Sequence, residues 1–152
     1  MLFLIRHGKT KANQEGRYLG YTDEDLTEEG KQEILSLAAS GYYPESDIIF
    51  TSALKRCKTT AALIYPGKQL IEIPEWNEID FGRFEGKTYK ELSGNPDYQA
   101  WIDSGGTIAF PGGESRESFI ERCVCGMEKM IAMLPEGVER ISIVVHGGTI
   151  MA

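Results

Sequence analysis

The chain contains two histidines, His7 and His146, and their surroundings nearly repeat. The first sits in Leu4-Ile-Arg-His-Gly-Lys-Thr10 and the second in Val144-Val-His-Gly-Gly-Thr149, so each follows an apolar run and precedes Gly-x-Thr. An imidazole can serve as nucleophile, proton carrier or ligand because its charge changes near neutral pH. A lone histidine is more often a hydrogen-bonded structural residue, so the shared context is what argues for chemistry here. Arg6 directly precedes His7, and Arg56 lies in Ser52-Ala-Leu-Lys-Arg-Cys-Lys-Thr-Thr60. Guanidinium groups hold phosphate through paired N–H donors, and the free N–H groups of a helix start also favour anions. The chain carries 16 basic and 23 acidic residues, a formal net charge of -7. Two arginines and two histidines in such a chain suggest a local phosphate pocket. The alternative for Lys55, Arg56 and Lys58 is a solvated helix face.

These side chains need elements to bring them together. Leu2 to Ile5 is a short continuous apolar run, as expected of a strand buried on both faces. Arg140 to Val145 reads as another, Asp47 to Thr51 as a second and Leu70 to Ile73 as a third. Thr27 can cap a helix ending near Gly41, Ser52 can cap one ending near Ile64, and Glu114-Ser115 opens a long helix closed by Pro135. Residues 8–26 read as a long loop, and 74–113 as an irregular stretch with one or two short helices around 87–103. Strands alternating with helices give an α/β layered domain with a largely parallel sheet. In such sheets ligands bind beyond the carboxyl ends of the strands, where both histidines fall.

At 152 residues, with 41% hydrophobic and 26% charged residues, the composition is that of one globular domain. The acidic balance argues against nucleic-acid or acidic-membrane binding. Cys57, Cys123 and Cys125 are odd in number and form no C-x-x-C, so they read as reduced thiols of a cytoplasmic protein. The apolar start is only five residues long and lacks a preceding basic segment, unlike a signal peptide or membrane span. No H-x-H, H-E-x-x-H or carboxylate-pair spacing points to a metal, and no cofactor is expected.

Taken in order, the blocks become specific. They are Arg6-His-Gly-x-Thr10-x-x-Asn13, Gly16-Arg-x-x-Gly20, Asp23-x-x-Leu-Thr-x-x-Gly30, Ser52-x-Leu-x-Arg56-x-x-x-Thr60-Ala61, Glu78-x-x-x-Gly82-x-x-x-Gly86, Pro111-Gly-Gly-Glu-Ser115 and His146-Gly-Gly. Together they resemble the histidine phosphatase superfamily, the phosphoglycerate-mutase-like family. The segments around Glu78 and Pro111 look most like its small phosphatase branch, which includes α-ribazole phosphatase, and also like the fructose-2,6-bisphosphatase branch.

The resemblance implies a three-layer α/β/α fold. It implies a phosphomonoesterase, metal-independent, acting on a small phosphorylated metabolite such as α-ribazole 5′-phosphate. His7 would be the nucleophile that becomes phosphohistidine. Arg6, Arg56 and His146 would hold the phosphate oxygens, and Asn13 would add a neutral donor. Gly20, Thr22 and Gly147 would line the substrate site. Glu78 would be general acid and then base, its pKa raised by apolar neighbours such as Trp76, Ile79 and Phe81. Rival expectations are a phosphoglycerate mutase and a non-catalytic phospholigand-binding module.

Two departures stand out. Lys9 occupies a position where the family usually has Glu or Gln, and it is expected to face solvent. The chain stops six residues after His146, where the family domain normally continues with a further helix and strand. On this resemblance residues 1–152 form a single histidine phosphatase domain without that last helix and strand.

Overall fold

A computed structural model describes residues Met1–Ala152. The elements run β1 (Leu2–Arg6), α1 (Lys11–Glu15), α2 (Glu28–Ala39), β2 (Ile48–Thr51), α3 (Lys55–Ile64), β3 (Leu70–Glu72), α4 (Tyr89–Leu92), α5 (Pro96–Asp103), α6 (Arg116–Met133), β4 (Ile141–Val145) and α7 (Gly147–Met151). Single 3₁₀ turns occupy Pro74–Trp76 and Gly82–Phe84. The four strands form one sheet in the order β1-β4-β2-β3, and every pairing is parallel. The α/β class and the parallel sheet read from the sequence are therefore present.

Side-chain alternation along the central strands divides the core in two. Ile49 and Val144 face α2 and α3, where they meet Ile34, Cys57, Ala61 and Ile64. Phe50, Ile143 and Val145 face the other way, onto Trp76, Phe119, Cys123 and Met130. The layering is thus helix, sheet, helix. Each fully buried side chain of this size contributes about 1.5–3 kcal/mol, and only Ile48 and Ile141, at the starts of β2 and β4, are partly exposed. β1 is an edge strand, and Leu2 and Leu4 are nearly half exposed on it. No helix is long and apolar enough to cross a membrane.

Two local expectations differ from the structure. The loop 8–26 contains the five-residue helix α1, held by a reciprocal capping box between Thr10 and Asn13. Ser52 does not cap α3. The helix begins at Lys55 after Leu54, which makes no side-chain cap, and the Ser52 hydroxyl is engaged elsewhere. Thr27 and Ser115 do cap α2 and α6, accepting from the N–H groups of Gly30 and Ser118.

Candidate active site

Strand register decides which side chains meet. β1 and β4 are parallel neighbours with Arg6 opposite Val145, so the next residues, His7 and His146, emerge side by side. Their ring centroids lie 5.2 Å apart at an interplanar angle of 62°. β2 and β4 pair with Thr51 opposite Val144, which brings Ser52 to the same edge. The two histidines, 139 positions apart, are brought together at the carboxyl end of the sheet.

The hydrogen bonds of His7 fix its tautomer. Nδ1 lies 2.8 Å from the Gly8 carbonyl oxygen, which can only accept, so Nδ1 carries the proton and Nε2 keeps the lone pair. Burial lowers the pKa of His7 to about 4, and the positive charges of Arg56 and Arg6 push the same way against the Gly8 hydrogen bond. The ring is neutral at physiological pH.

His146 is fully buried, and both its nitrogens are taken. Arg56 Nε–H donates to Nδ1 at 3.2 Å, which leaves the ring proton on Nε2. That proton goes to Ser52 Oγ at 2.8 Å, and the Ser52 hydroxyl donates to Asn77 Oδ1 at 2.8 Å. The Ala53 N–H donates to the same oxygen. Burial, then Arg56 and His7, hold the His146 pKa well below its ordinary value. His146 therefore orients Arg56 and offers no spare N–H to a ligand in this arrangement. Cys57 Sγ packs 3.5 Å from Nε2; burial raises its pKa to about 12, so it is a neutral thiol.

Arg56 has no exposed surface. Besides its bond to His146, Nη1 donates to the Thr22 carbonyl at 2.9 Å and Nη2 to the Gly20 carbonyl at 2.8 Å. Gly20 and Thr22 are thus brought to the site as backbone acceptors that hold the arginine. The start of α3 is also occupied by protein, since the Lys55 N–H donates to Asp23 Oδ1 at 2.7 Å.

Glu78 is buried, 9% exposed, beside the same edge. Its carboxylate accepts from the N–H of Ile79 at 3.0 Å and of Gly148 at 3.2 Å. Burial raises its pKa, opposed by those two N–H groups and by Arg56 and Arg6. Gly148 leaves room for this side chain, because a Cβ at that position would collide with the Glu78 carboxylate and push it aside. The backbone beneath Glu78 is held by Arg122. Its guanidinium donates to the carbonyls of Glu75, Asn77 and Glu78 and pairs with Glu114 at 2.7 Å. Glu114, from the Pro-Gly-Gly-Glu-Ser block, also accepts from the Asp80 N–H. Sequence reasoning missed Arg122, Asn77 and Ser52 as supports; their signal is the tertiary hydrogen bonds alone.

Arg6 is exposed and stands between two cavities. One, of about 320 Å³, includes His7, Gly8 and Asn13. The other, of about 490 Å³, includes Glu78 and Gly147. Asn13 spends its Oδ1 on the Thr10 N–H within the capping box, which leaves its amide N–H₂ for the first cavity. A Cβ on Gly147 would lie 3.6 Å from the Arg6 guanidinium carbon, so this glycine packs beside that cation. Lys9 is drawn sideways onto α2, with Nζ 3.1 Å from Glu33 and 3.7 Å from Glu29. The far wall of the second cavity is aromatic, including Tyr18, Phe81, Trp101 and Phe110. Trp101 and Phe110 stack at 5.0 Å, and the buried Trp101 indole N–H meets no protein acceptor.

The family model of the histidine phosphatase superfamily (branch 1) matches residues 2–152. The chain is 36% identical over 125 residues to phosphoserine phosphatase 1 of Hydrogenobacter thermophilus, an alignment covering 80% of this chain and 59% of that protein. It is 32% identical over 155 residues to the adenosylcobalamin/alpha-ribazole phosphatase of Escherichia coli, covering 98% and 74%. The crystal structure of the alpha-ribazole phosphatase from Shigella flexneri superposes with a TM-score of 0.86 at 29% identity, over 98% of this chain and 75% of that one. The chain therefore spans between about three fifths and three quarters of the length of these proteins. By the match along nearly its whole length, and by the fold, the chain belongs to the histidine phosphatase superfamily, branch 1.

Proposed function

We propose that this protein is a metal-independent phosphomonoesterase that passes the phosphoryl group through His7. The observation that carries the reading is the neutral His7 ring, its lone pair held on Nε2 by the Gly8 hydrogen bond, with Arg6 and Arg56 acting on it as nearby cations. In the first step Nε2 attacks phosphorus and the P–O bond to the leaving group breaks. Glu78, whose affinity for a proton is raised by burial, gives a proton to the departing oxygen. In the second step the Glu78 carboxylate takes a proton from water, whose oxygen attacks phosphorus, and the P–N bond breaks to restore neutral His7. Arg6, Arg56 and Asn13 stabilise the charge spread over the phosphoryl oxygens. His146 acts through Arg56. Gly20 and Thr22 support Arg56 by their carbonyls, and Gly147 flanks Arg6.

The substrate is a small phosphorylated metabolite, and we infer α-ribazole 5′-phosphate over O-phosphoserine. The aromatic wall beside Glu78 supports this, because a flat apolar leaving group removes that surface from water and a serine side does not. Turnover of both compounds, with and without EDTA and orthovanadate, tests the reading. The expected result is activity unaffected by EDTA, blocked by orthovanadate, and at least tenfold higher kcat/KM on the riboside phosphate. Loss of activity in EDTA that a divalent ion restores would overturn the metal-independent mechanism. A preference for O-phosphoserine would overturn the substrate.

A further inference from the structure

We propose that Glu85 is a positioning residue for Arg56, acting through the backbone of residues 20–22; the inference rests on the reading of Arg56 as a phosphoryl-binding group. Arg56 is fully buried yet makes no ion pair with any carboxylate. A buried cation without a counter-charge is costly. The carboxylates Glu78, Glu85 and Asp23 act on it only through space, and of these Glu85 grips the peptide segment to which Arg56 is bonded. Glu85 Oε1 accepts from the N–H of Gly20 at 2.9 Å and of Thr22 at 3.0 Å, and Oε2 lies 3.0 Å from the Gly20 nitrogen. The carbonyls of the same two residues accept from Arg56. The segment thus turns its N–H groups to the anion and its C=O groups to the cation, and the peptide dipoles favour both.

The indirect arrangement has a chemical consequence. A carboxylate bonded to Arg56 itself would occupy the N–H groups that a phosphoryl group needs and would compete with it. Carbonyls take one N–H from each terminal nitrogen, and Nε is spent on His146, so two of the five N–H groups have no protein partner. Gly20 is fitted to the task. A Cβ there would run into the Ile79 carbonyl and the Glu85 carboxylate, so only glycine lets the loop lie between the two. Glu85 comes from the same irregular stretch as Glu78, so one segment sets both the proton donor and the arginine opposite it.

The test is a double-mutant cycle read by orthovanadate affinity in calorimetry and by kcat/KM on p-nitrophenyl phosphate. Glu85→Ala is expected to weaken orthovanadate binding and to lower kcat/KM by roughly tenfold in the wild-type background, but by less than about threefold in an Arg56→Met background. Gln can accept both N–H groups on its Oε1, whereas Asp is one methylene too short, so Glu85→Gln should retain more of both readouts than Glu85→Asp. Equal losses in the two backgrounds, or Asp outperforming Gln, would overturn the proposal. The Gln–Asp comparison decides the matter should Glu85→Ala fail to fold. Coupled loss of orthovanadate binding in a protein that turns over no phosphomonoester would uphold this inference and defeat the phosphatase reading. Wild-type affinity in Arg56→Met would defeat both.

Discussion

Five carboxylates crowd the stretch from Glu72 to Glu85, and nothing in their order singles one out. The contacts do. Glu72 faces Lys58, Glu75 pairs with Lys129, Asp80 accepts from the Gly82 N–H, and Glu85 holds Gly20 and Thr22. Glu78 alone is buried, and it shares a cavity with Arg6 and Gly147 with its affinity for a proton raised. An acid in that place matters in proportion to how poorly the leaving oxygen departs. Glu78→Gln should therefore lower the phosphorylation rate on an alkyl phosphate by about 10²–10⁴ and on p-nitrophenyl phosphate far less. Burst kinetics separates this step from hydrolysis of the phosphoenzyme, which the missing base slows for every substrate. Equal loss of the phosphorylation rate on both substrates would exclude Glu78 as the acid. The two histidines were legible from their repeated context, and Arg6 and Arg56 from their neighbourhood. Choosing Glu78 among its neighbours required the family resemblance, because burial and partner identity are properties of the folded chain.

At the level of elements, the strands were legible because continuous apolar runs have few other uses, and Thr27 and Ser115 cap as their sequence context predicts. α1 was not, since Lys-Ala-Asn-Gln-Glu has no apolar stripe and is held by its capping box. The start of α3 departs from the sequence pattern because Ser52 has the chemistry of a cap, yet His146 and Asn77 engage its hydroxyl. α7 matters through Gly148, whose N–H binds the Glu78 carboxylate and whose missing side chain makes room for it. Gly148→Ala should favour helix by about 1 kcal/mol on propensity alone, while the new methyl displaces Glu78. The expected outcome is a loss of activity on alkyl phosphates larger than on p-nitrophenyl phosphate. Activity unchanged on both, measured alongside thermal unfolding, would show that Glu78 tolerates displacement.

Across the whole molecule, two buried neutral imidazoles link folding to pH. The pKa of His7 falls from 6.5 unfolded to about 4 folded, and that of His146 is also held far below its ordinary value. Between these limits the unfolded chain binds protons that the native chain refuses, so stability is greatest above pH 6.5 and declines as the pH falls toward 4. Each imidazole can contribute a slope approaching about 1.4 kcal/mol per pH unit. Glu78 works in the opposite sense. Its raised pKa stabilises the fold below the ordinary carboxyl range, and this contribution is lost as pH rises through the folded value. Two imidazoles outweigh one carboxyl, so urea unfolding should show a marked fall in stability from pH 7 to pH 5. His146→Gln should reduce that fall by roughly half. An identical fall in the variant would mean that His146 is not held neutral by the fold.

Phosphoryl transfer through His7 Nε2 is measured most directly by the phosphoenzyme itself. Rapid quench with labelled substrate should trap label that is stable in base and released in acid, as a phosphoramidate is. Mass spectrometry should place it on His7, and His7→Ala should abolish it. Label retained in His7→Ala and lost in His146→Ala, or an acid-stable ester on another residue, would contradict the account.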